Sequence, residues 1–224
     1  MFPSLAKVAG GAAIPTTQRF VGFDSDGGSN TTYNFTISGN VDNKNCVIAT
    51  AARGSSNDTT DSVVIAGQSC SLINDVIGGA VSTDNHLTFW VTDAPVSFSG
   101  STTLSVTFSG NQGRCGACCY ELSNEESTTP TDTNGILTGN PQSPSVTVQD
   151  GGCVISAATE LSSQNASYDW TASDPPILED FDDNSWGGRT LSGASGDFET
   201  GQFVNVVANS SNDSIPFSGS VAML

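Results

Sequence analysis

The chain has 224 residues, of which six are Lys or Arg and 23 are Asp or Glu, so its net charge is −17. Only 13% of its residues are charged, about half the usual share, and most of its polarity comes from Ser, Thr, Asn and Gly. Six scattered basic residues exclude the basic face that nucleic-acid binding requires, and no apolar run is long enough for a membrane-spanning helix. This composition favours strands and turns, so we expect an all-β protein.

The chain begins with a mildly apolar segment that is interrupted by Pro3, Lys7 and Gly10-Gly11. A signal peptide needs a basic start and an unbroken apolar core of about 7–15 residues, which this segment lacks. We therefore predict an extended N-terminal arm over residues 1–17. Its apolar side chains are expected to dock on another protein: Phe2, Leu5, Val8 and Ile14.

Residues 18–224 show the period-2 alternation of half-buried strands, bounded by Gly, Asn, Asp and Ser clusters. The alternating apolar residues are Tyr33, Phe35 and Ile37, then Leu87, Phe89 and Val91, and then Leu104, Val106 and Phe108. Segments 47–52 and 154–158 are apolar on both faces, which predicts strands that lie between layers or under a covering loop. Helix signals are almost absent, and two polar stretches, 123–145 and 172–200, are predicted loops. The pattern favours a single antiparallel two-sheet β-sandwich over residues 18–224.

The cysteines and the single histidine give little support for metal or nucleophilic chemistry. Cys118 and Cys119 are neighbours in a predicted strand and must point to opposite faces, which prevents a shared ligand cluster. We expect the six cysteines to be free thiols, with one or two disulfides as the alternative. His86 alternates with Thr88 on the face opposite the apolar row, so we expect it at the surface. The cysteines are Cys46, Cys70, Cys115, Cys118, Cys119 and Cys153.

The acidic stretch 179–183 is the place where ligand chemistry is most conceivable. Carboxylates near tryptophans are typical of clefts that bind or cleave sugars, and glycoside hydrolysis needs two such acids. The simpler interpretation is a solvated acidic loop that its tryptophans pin to the sandwich. The stretch opens like an EF-hand calcium loop, but Ser185 and Leu191 replace the required Gly and Glu. We predict no catalytic residue, no metal site and no cofactor, and we assign a possible ligand-binding loop to Trp170, Asp180, Asp182 and Trp186.

Several motifs in a fixed order give the chain a resemblance to known proteins. Trp90-Val91, Ala94-Pro95 and the stretch from Thr103 to Ser109 form the pattern W-V-x-x-A-P followed by T-x-x-V-T-F-S. Together with "NCVIATAARG", "CGACCYEL" and the terminal "FSGSVAML", this order resembles a group of tailed-bacteriophage virion proteins common in marine phages. The likeness covers roughly residues 20–224. It implies a jelly-roll-like β-sandwich and a structural role in the virion, and it supplies no catalytic residues.

The resemblance predicts a head decoration or cement protein that docks on the major capsid protein at the particle surface. We expect a homo-oligomer that is not an enzyme and that contacts neither nucleic acid nor membrane. A hydroxyl-rich, acidic surface suits such a protein, because like charges oppose aggregation at high local copy number. The main alternative is a tail or fibre protein that binds cell-surface carbohydrate. A third possibility is a secreted hydrolase that uses the acids of 179–183.

Overall fold

The computed structural model describes residues 14–54, 58–78, 85–136, 140–160, 166–184, 190–211 and 216–224. Every helix or strand assigned within these ranges is a β-strand, which confirms the all-β prediction. In chain order the strands are β1 Thr17–Asp26, β2 Asn30–Ser38, β3 Val41–Lys44, β4 Cys46–Gly54, β5 Thr60–Ile65, β6 Gln68–Gly78, β7 Asn85–Thr92, β8 Val96–Phe98, β9 Ser101–Ser123, β10 Asp132–Ile136, β11 Val146–Val148, β12 Cys153–Glu160, β13 Tyr168–Asp169, β14 Leu178–Asp183, β15 Leu191–Asp197, β16 Gln202–Val204, β17 Asn209–Ser210 and β18 Pro216–Met223.

Five antiparallel strands form a sheet that closes on itself, which we call the closed sheet. Strands β9, β4, β7, β6 and β5 pair in that order, and β5 pairs back with β9. Closure depends on β9, because its 23 residues are long enough to change neighbours along their length. Residues 101–107 of β9 pair with β2 and β5, whereas the part from Cys115 onward pairs with β1 and β4.

The closed sheet, with β1 and β2, surrounds an inner core of apolar side chains. The alternation predicted for β2 is confirmed, since Tyr33, Phe35 and Ile37 are buried while the residues between them are exposed. Burying apolar area of this kind stabilises the fold by about 25 cal/mol per Å² removed from water. The inner core consists of Val21, Tyr33, Phe35, Ile37, Val41, Cys46, Ile48, Ala52, Val63, Ile65, Trp90, Val96, Leu104, Val106, Phe108, Cys115, Ala117 and Cys119.

A second sheet, which we call the open sheet, has the strand order β10-β18-β12-β15-β14 and packs against the closed sheet. The middle core fills the space between the two sheets. Strand β4 is buried on both faces, as its apolar sequence predicts, because its alternate side chains enter the inner and the middle core. The middle core consists of Val47, Ala49, Ala51, Val76, Leu87, Phe89, Val91, Cys118, Tyr120, Leu122, Cys153, Ile155, Ala157, Phe181, Leu191, Val221 and Met223.

The far face of the open sheet is also covered, by short strands and connecting segments. Strand β11 pairs with β16 and β13 pairs with β17, and these pairs place apolar side chains against β12, β15 and β18. This covering explains why β12 is apolar on both faces. The outer core consists of Val146, Val148, Val154, Ala158, Tyr168, Trp170, Ile177, Ala194, Phe198, Val204, Val206, Ala208 and Ala222.

Two predicted loops contain strands of the open sheet, and those predictions were wrong. Strand β10 lies within 123–145, and strands β14 and β15 lie within 172–200. The signals were hidden because both outermost strands, β10 and β14, carry Asp, and β15 is rich in Gly and Ser, all of low strand propensity. Charged side chains are common on edge strands, where they discourage pairing with other chains.

Glycines of the open sheet allow aromatic rings to approach its backbone closely. A Cβ atom on Gly193 would lie 2.4 Å from the Tyr120 hydroxyl oxygen and 2.5 Å from a ring carbon of Phe181. A Cβ atom on Gly219 would lie 2.8 Å from Phe89 and from Val76. All four of these neighbours belong to the middle core, where close packing leaves little room for adjustment.

We predict that Gly193→Ala lowers the free energy of unfolding by about 1–3 kcal/mol, because the added methyl group must displace buried rings. Gly113→Ala is the matched control, since a Cβ atom there meets only the Arg53 carbonyl oxygen, at 3.5 Å. Urea unfolding of the two variants and the parent measures the difference. Equal midpoints for Gly193→Ala and Gly113→Ala would contradict this account of the sheet packing.

Candidate functional site

The residues directly before β1 are hydrogen-bonded to other segments of the protein. The Thr16 amide donates a hydrogen bond of 2.7 Å to the Gly151 carbonyl, and the Thr16 hydroxyl donates one of 3.1 Å to the Asn124 carbonyl. The Asn124 side-chain amide donates in return to the Pro15 carbonyl at 3.3 Å. These three bonds fix the residues directly before β1. We call residues 14–16 the arm root.

The arm root presents an apolar side chain to solvent. Ile14 is 72% exposed although it adjoins the anchored Pro15-Thr16 pair. Of the four predicted docking residues, Phe2, Leu5 and Val8 lie outside the described residues. Docking by this segment stays a prediction, and the structure adds the anchored base from which it would act.

Asn124 was missed in the sequence analysis, although its position carried a signal. It has a φ of 62°, in the left-handed region that Asn enters more readily than most residues. The Ser123-Asn124 pair at the end of β9 is a turn signal of the kind that predicts such a conformation. The sequence did not reveal the hydrogen-bond partner of Asn124, because Thr16 lies 108 residues away along the chain.

The acidic stretch 179–183 lies on the edge strand β14, and not in a loop as predicted. Asp180 accepts a hydrogen bond of 2.6 Å from the Ser195 hydroxyl, and Asp182 accepts one of 2.9 Å from the Tyr168 amide. Ser195 is on the same face of β15 as Leu191 of the middle core, whereas Tyr168 belongs to the outer core. The two carboxylates therefore point to opposite sides of the open sheet and do not form the acid pair that flanks a glycosidic bond.

Trp170 is a packing residue of the outer core. It is 1% exposed, and its indole nitrogen donates a hydrogen bond of 2.9 Å to the Ser192 hydroxyl. A buried indole offers no free face on which a sugar ring could stack. Trp186, the other tryptophan assigned to the ligand-binding loop, lies outside the described residues. Among the described residues, the structure therefore does not assemble Trp170, Asp180 and Asp182 into one sugar site.

Burial changes the pKa values of three acidic residues on β14. Desolvation raises the pKa of Asp180 and of Asp182 above the ordinary value, and their hydrogen bonds only partly offset it. The pKa of Glu179 is also raised, by desolvation and by neighbouring carboxylates. Asp169 is fully exposed, and its pKa is lowered by hydrogen bonds from Thr171. Ionisation of Glu179, Asp180 and Asp182 thus opposes folding.

His86 and the cysteines lie inside the protein. The prediction of a surface histidine was wrong, because His86 is 6% exposed and lies on the inward face of β7 with Thr88 and Trp90. All six cysteines are free thiols in the structure, five of them buried. Cys118 enters the middle core and Cys119 the inner core, which confirms that they point to opposite faces.

The surroundings of two thiols, Cys70 and Cys118, raise their pKa values. Burial raises the pKa of Cys118 to about 12, and it does the same for the half-buried Cys70. Because the thiolate is the reactive form, a raised pKa lowers the expected reactivity of these two thiols near neutral pH. Within the described ranges, no group of three or more His, Cys, Asp or Glu side chains is arranged to hold a metal ion. Nor does any helix in those ranges have the length and hydrophobicity needed to cross a membrane.

No protein-family model, curated protein or solved structure gives a significant match to this chain. The resemblance to phage virion proteins therefore stays a prediction, carried by the order of the motifs quoted above. Among the described residues, three large apolar side chains are more than half exposed: Ile14 of the arm root, Leu178 and Phe203.

We predict that Asp180→Asn makes the free energy of unfolding less dependent on pH. A carboxylate whose pKa is raised by folding binds protons more readily in the folded state. Stability therefore falls as the pH rises from the ordinary value of 3.8 through the folded-state pKa, and the variant lacks that fall. Urea unfolding of both proteins at a series of pH values, from about 3.5 to about 7, measures how the free energy of unfolding depends on pH.

Asp169→Asn is the control of opposite sign. The pKa of Asp169 is lowered by folding, so its contribution to stability is present above pH 3.8 and is lost as the pH falls. If the free energy of unfolding changed with pH in the same way for Asp180→Asn and for the parent, folding would not raise the pKa of Asp180, and the prediction would be wrong.

Proposed function

We propose that the protein is a structural protein of a bacteriophage virion, with a jelly-roll-like sandwich as its body. It decorates the head by docking an N-terminal arm on the major capsid protein. The observation that carries this proposal is the arm root, where an exposed Ile14 precedes a residue fixed by hydrogen bonds to two separate segments of the body. A fixed base limits the conformations that an attached segment explores, which lowers the entropic cost of binding.

The surface of the body supports a passive role on a crowded particle. The outermost strand β14 of the open sheet carries Glu179, Asp180 and Asp182. Acidic side chains on an edge strand oppose strand-to-strand association between copies. Association into a homo-oligomer on the shell would then be directed by the arm and by apolar contacts, and not by exposed sheet edges.

Ionic conditions fit the same proposal. A net charge of −17 repels neighbouring copies, but salt shortens the range of that repulsion to about 8 Å at physiological ionic strength. Copies on a shell therefore tolerate each other at short spacing while staying soluble when free. Localisation at the particle surface follows from this proposal.

We predict that deletion of residues 1–13 abolishes binding to phage heads, and that Ile14→Asp weakens it by about tenfold. An aspartate at this position must lose solvation when the arm root is covered by a partner. Cosedimentation of purified protein with undecorated heads measures binding. Phe203→Asp is the matched control, because Phe203 is 64% exposed and belongs to β16, which pairs with β11 and not with the arm root.

Full decoration by the deletion variant would overturn the docking role of the arm. Equal losses for Ile14→Asp and Phe203→Asp would show that added negative charge, and not the arm root, determines binding. Far-ultraviolet circular dichroism of each variant confirms that the β-structure is intact.

A further inference from the structure

Asn134 is the one asparagine of the sequence that is followed by a glycine, and the pair Asn134-Gly135 lies on strand β10. This strand has five residues and is outermost in the open sheet, where among the described strands it pairs only with β18. Short edge strands open more readily than central strands, because one of their sides has no hydrogen-bonded neighbour. Gly135 is also exposed to solvent. The pair is therefore accessible to water and able to change its local conformation.

The Asn134 side chain lies against the backbone nitrogen of the next residue. The Gly135 amide donates a hydrogen bond of 2.8 Å to Asn134 Oδ1, so the Gly135 nitrogen and the side-chain carbonyl are in contact. At the other end of the same amide group, Asn134 Nδ2 donates a hydrogen bond of 2.8 Å to the Ser145 carbonyl. The side chain is thus held with its carbonyl toward Gly135 and its nitrogen away from it.

We propose that Asn134 is a site of spontaneous deamidation in the folded protein. After the Gly135 nitrogen has lost its proton to hydroxide, it attacks the side-chain carbonyl carbon, Cγ, of Asn134. A bond forms between this nitrogen and Cγ, the bond between Cγ and Nδ2 breaks, and Nδ2 leaves as ammonia with a proton taken from water. Water then adds to either carbonyl carbon of the five-membered succinimide ring and opens it to aspartate or isoaspartate.

The residue that follows Asn134 favours this reaction. Glycine has no side chain to crowd the forming ring, and its backbone tolerates angles that other residues avoid. Water is the only co-reactant, and no atom is oxidised or reduced. This inference is independent of the proposed role in the virion.

The product differs from asparagine at a contact that joins β10 to the segment around β11. Asp132 and Asn134 both bind this segment, since the Asp132 carboxylate accepts a hydrogen bond of 2.7 Å from the Thr147 amide. In aspartate an acceptor oxygen replaces the Nδ2 donor, so the carboxylate faces the Ser145 carbonyl without a hydrogen atom between them, which is unfavourable. Isoaspartate also lengthens the main chain by one methylene group and so disturbs the register of β10 with β18. Deamidation therefore loosens the attachment of β10 to β11.

The first test compares the conversion of Asn134 in the folded full chain with its conversion in the same chain unfolded by urea, in one mildly alkaline buffer. Mass spectrometry of proteolytic peptides measures the loss of intact Asn134 over time. We expect the rate in the folded chain to lie within about tenfold of the rate in the unfolded chain, because local opening of an edge strand has a low free-energy cost. Stronger protection of Asn134 in the folded chain would overturn the proposal.

The same peptide maps contain an internal control, Asn140. It precedes Pro141, whose ring nitrogen carries no hydrogen, so the corresponding attack cannot occur there. Asn134→Gln is a second control, because glutamine would have to close a larger ring and should stay intact. Equal conversion at Asn134 and Asn140 would show unspecific hydrolysis and would overturn the role of the Gly135 nitrogen.

The structural effect is tested with Asn134→Asp, which reproduces one product. We expect hydrogen exchange of the Thr147 amide to become about fivefold faster, the factor that one hydrogen bond contributes. Asn205→Asp is the matched control, because it adds the same charge near Ser145 but keeps an oxygen that accepts the 2.9 Å hydrogen bond from the Ser145 hydroxyl. Equal exchange rates in the two variants would show that the Asn134 contact does not hold β10 to β11.

Discussion

Strand β9 hydrogen-bonds to four other strands, and the arrangement of both sheets depends on it. It can do so because its neighbours change between Thr107 and Cys115. Within this stretch Gln112 is fully buried and donates a hydrogen bond to Asp58, while the Tyr33 hydroxyl lies 2.5 Å from the Gln112 carbonyl oxygen. These contacts hold the chain where the closed sheet turns from one set of partners to the other. The last part of β9 then supplies Tyr120 to the middle core, against which the open sheet packs.

The packing of the two sheets leaves few large apolar side chains exposed on the described part of the protein. Three apolar cores use most of the large side chains, and the acids of β14 are held by contacts within the fold. An exposed apolar side chain, Ile14, remains at the arm root beside Asn124. A closed body with an exposed apolar residue at its margin suits the proposed display on a larger assembly. The same body explains why five of the six cysteines and His86 are buried.

The local sequence pattern predicted strands such as β2, with one apolar and one polar face, and strands such as β4, with two apolar faces. It did not predict β14, because an edge strand needs few apolar residues and a run of acidic residues has a low strand propensity. The closure of one sheet was also beyond local patterning, since it depends on pairing between β5 and β9, some 40 residues apart. For the candidate site, the apolar residue Ile14 was predicted, whereas the hydrogen bonds between Asn124 and the arm root depend on residues more than 100 positions apart.

The central claim is that a closed, acidic β-body is displayed on a phage head through its N-terminal arm. An electron cryomicroscopy map of virions carrying the protein tests this claim most directly. The account predicts density for the β-body on the outer surface of the head, with the arm root at Ile14 facing the major capsid protein. Density confined to the tail or its fibres would contradict it.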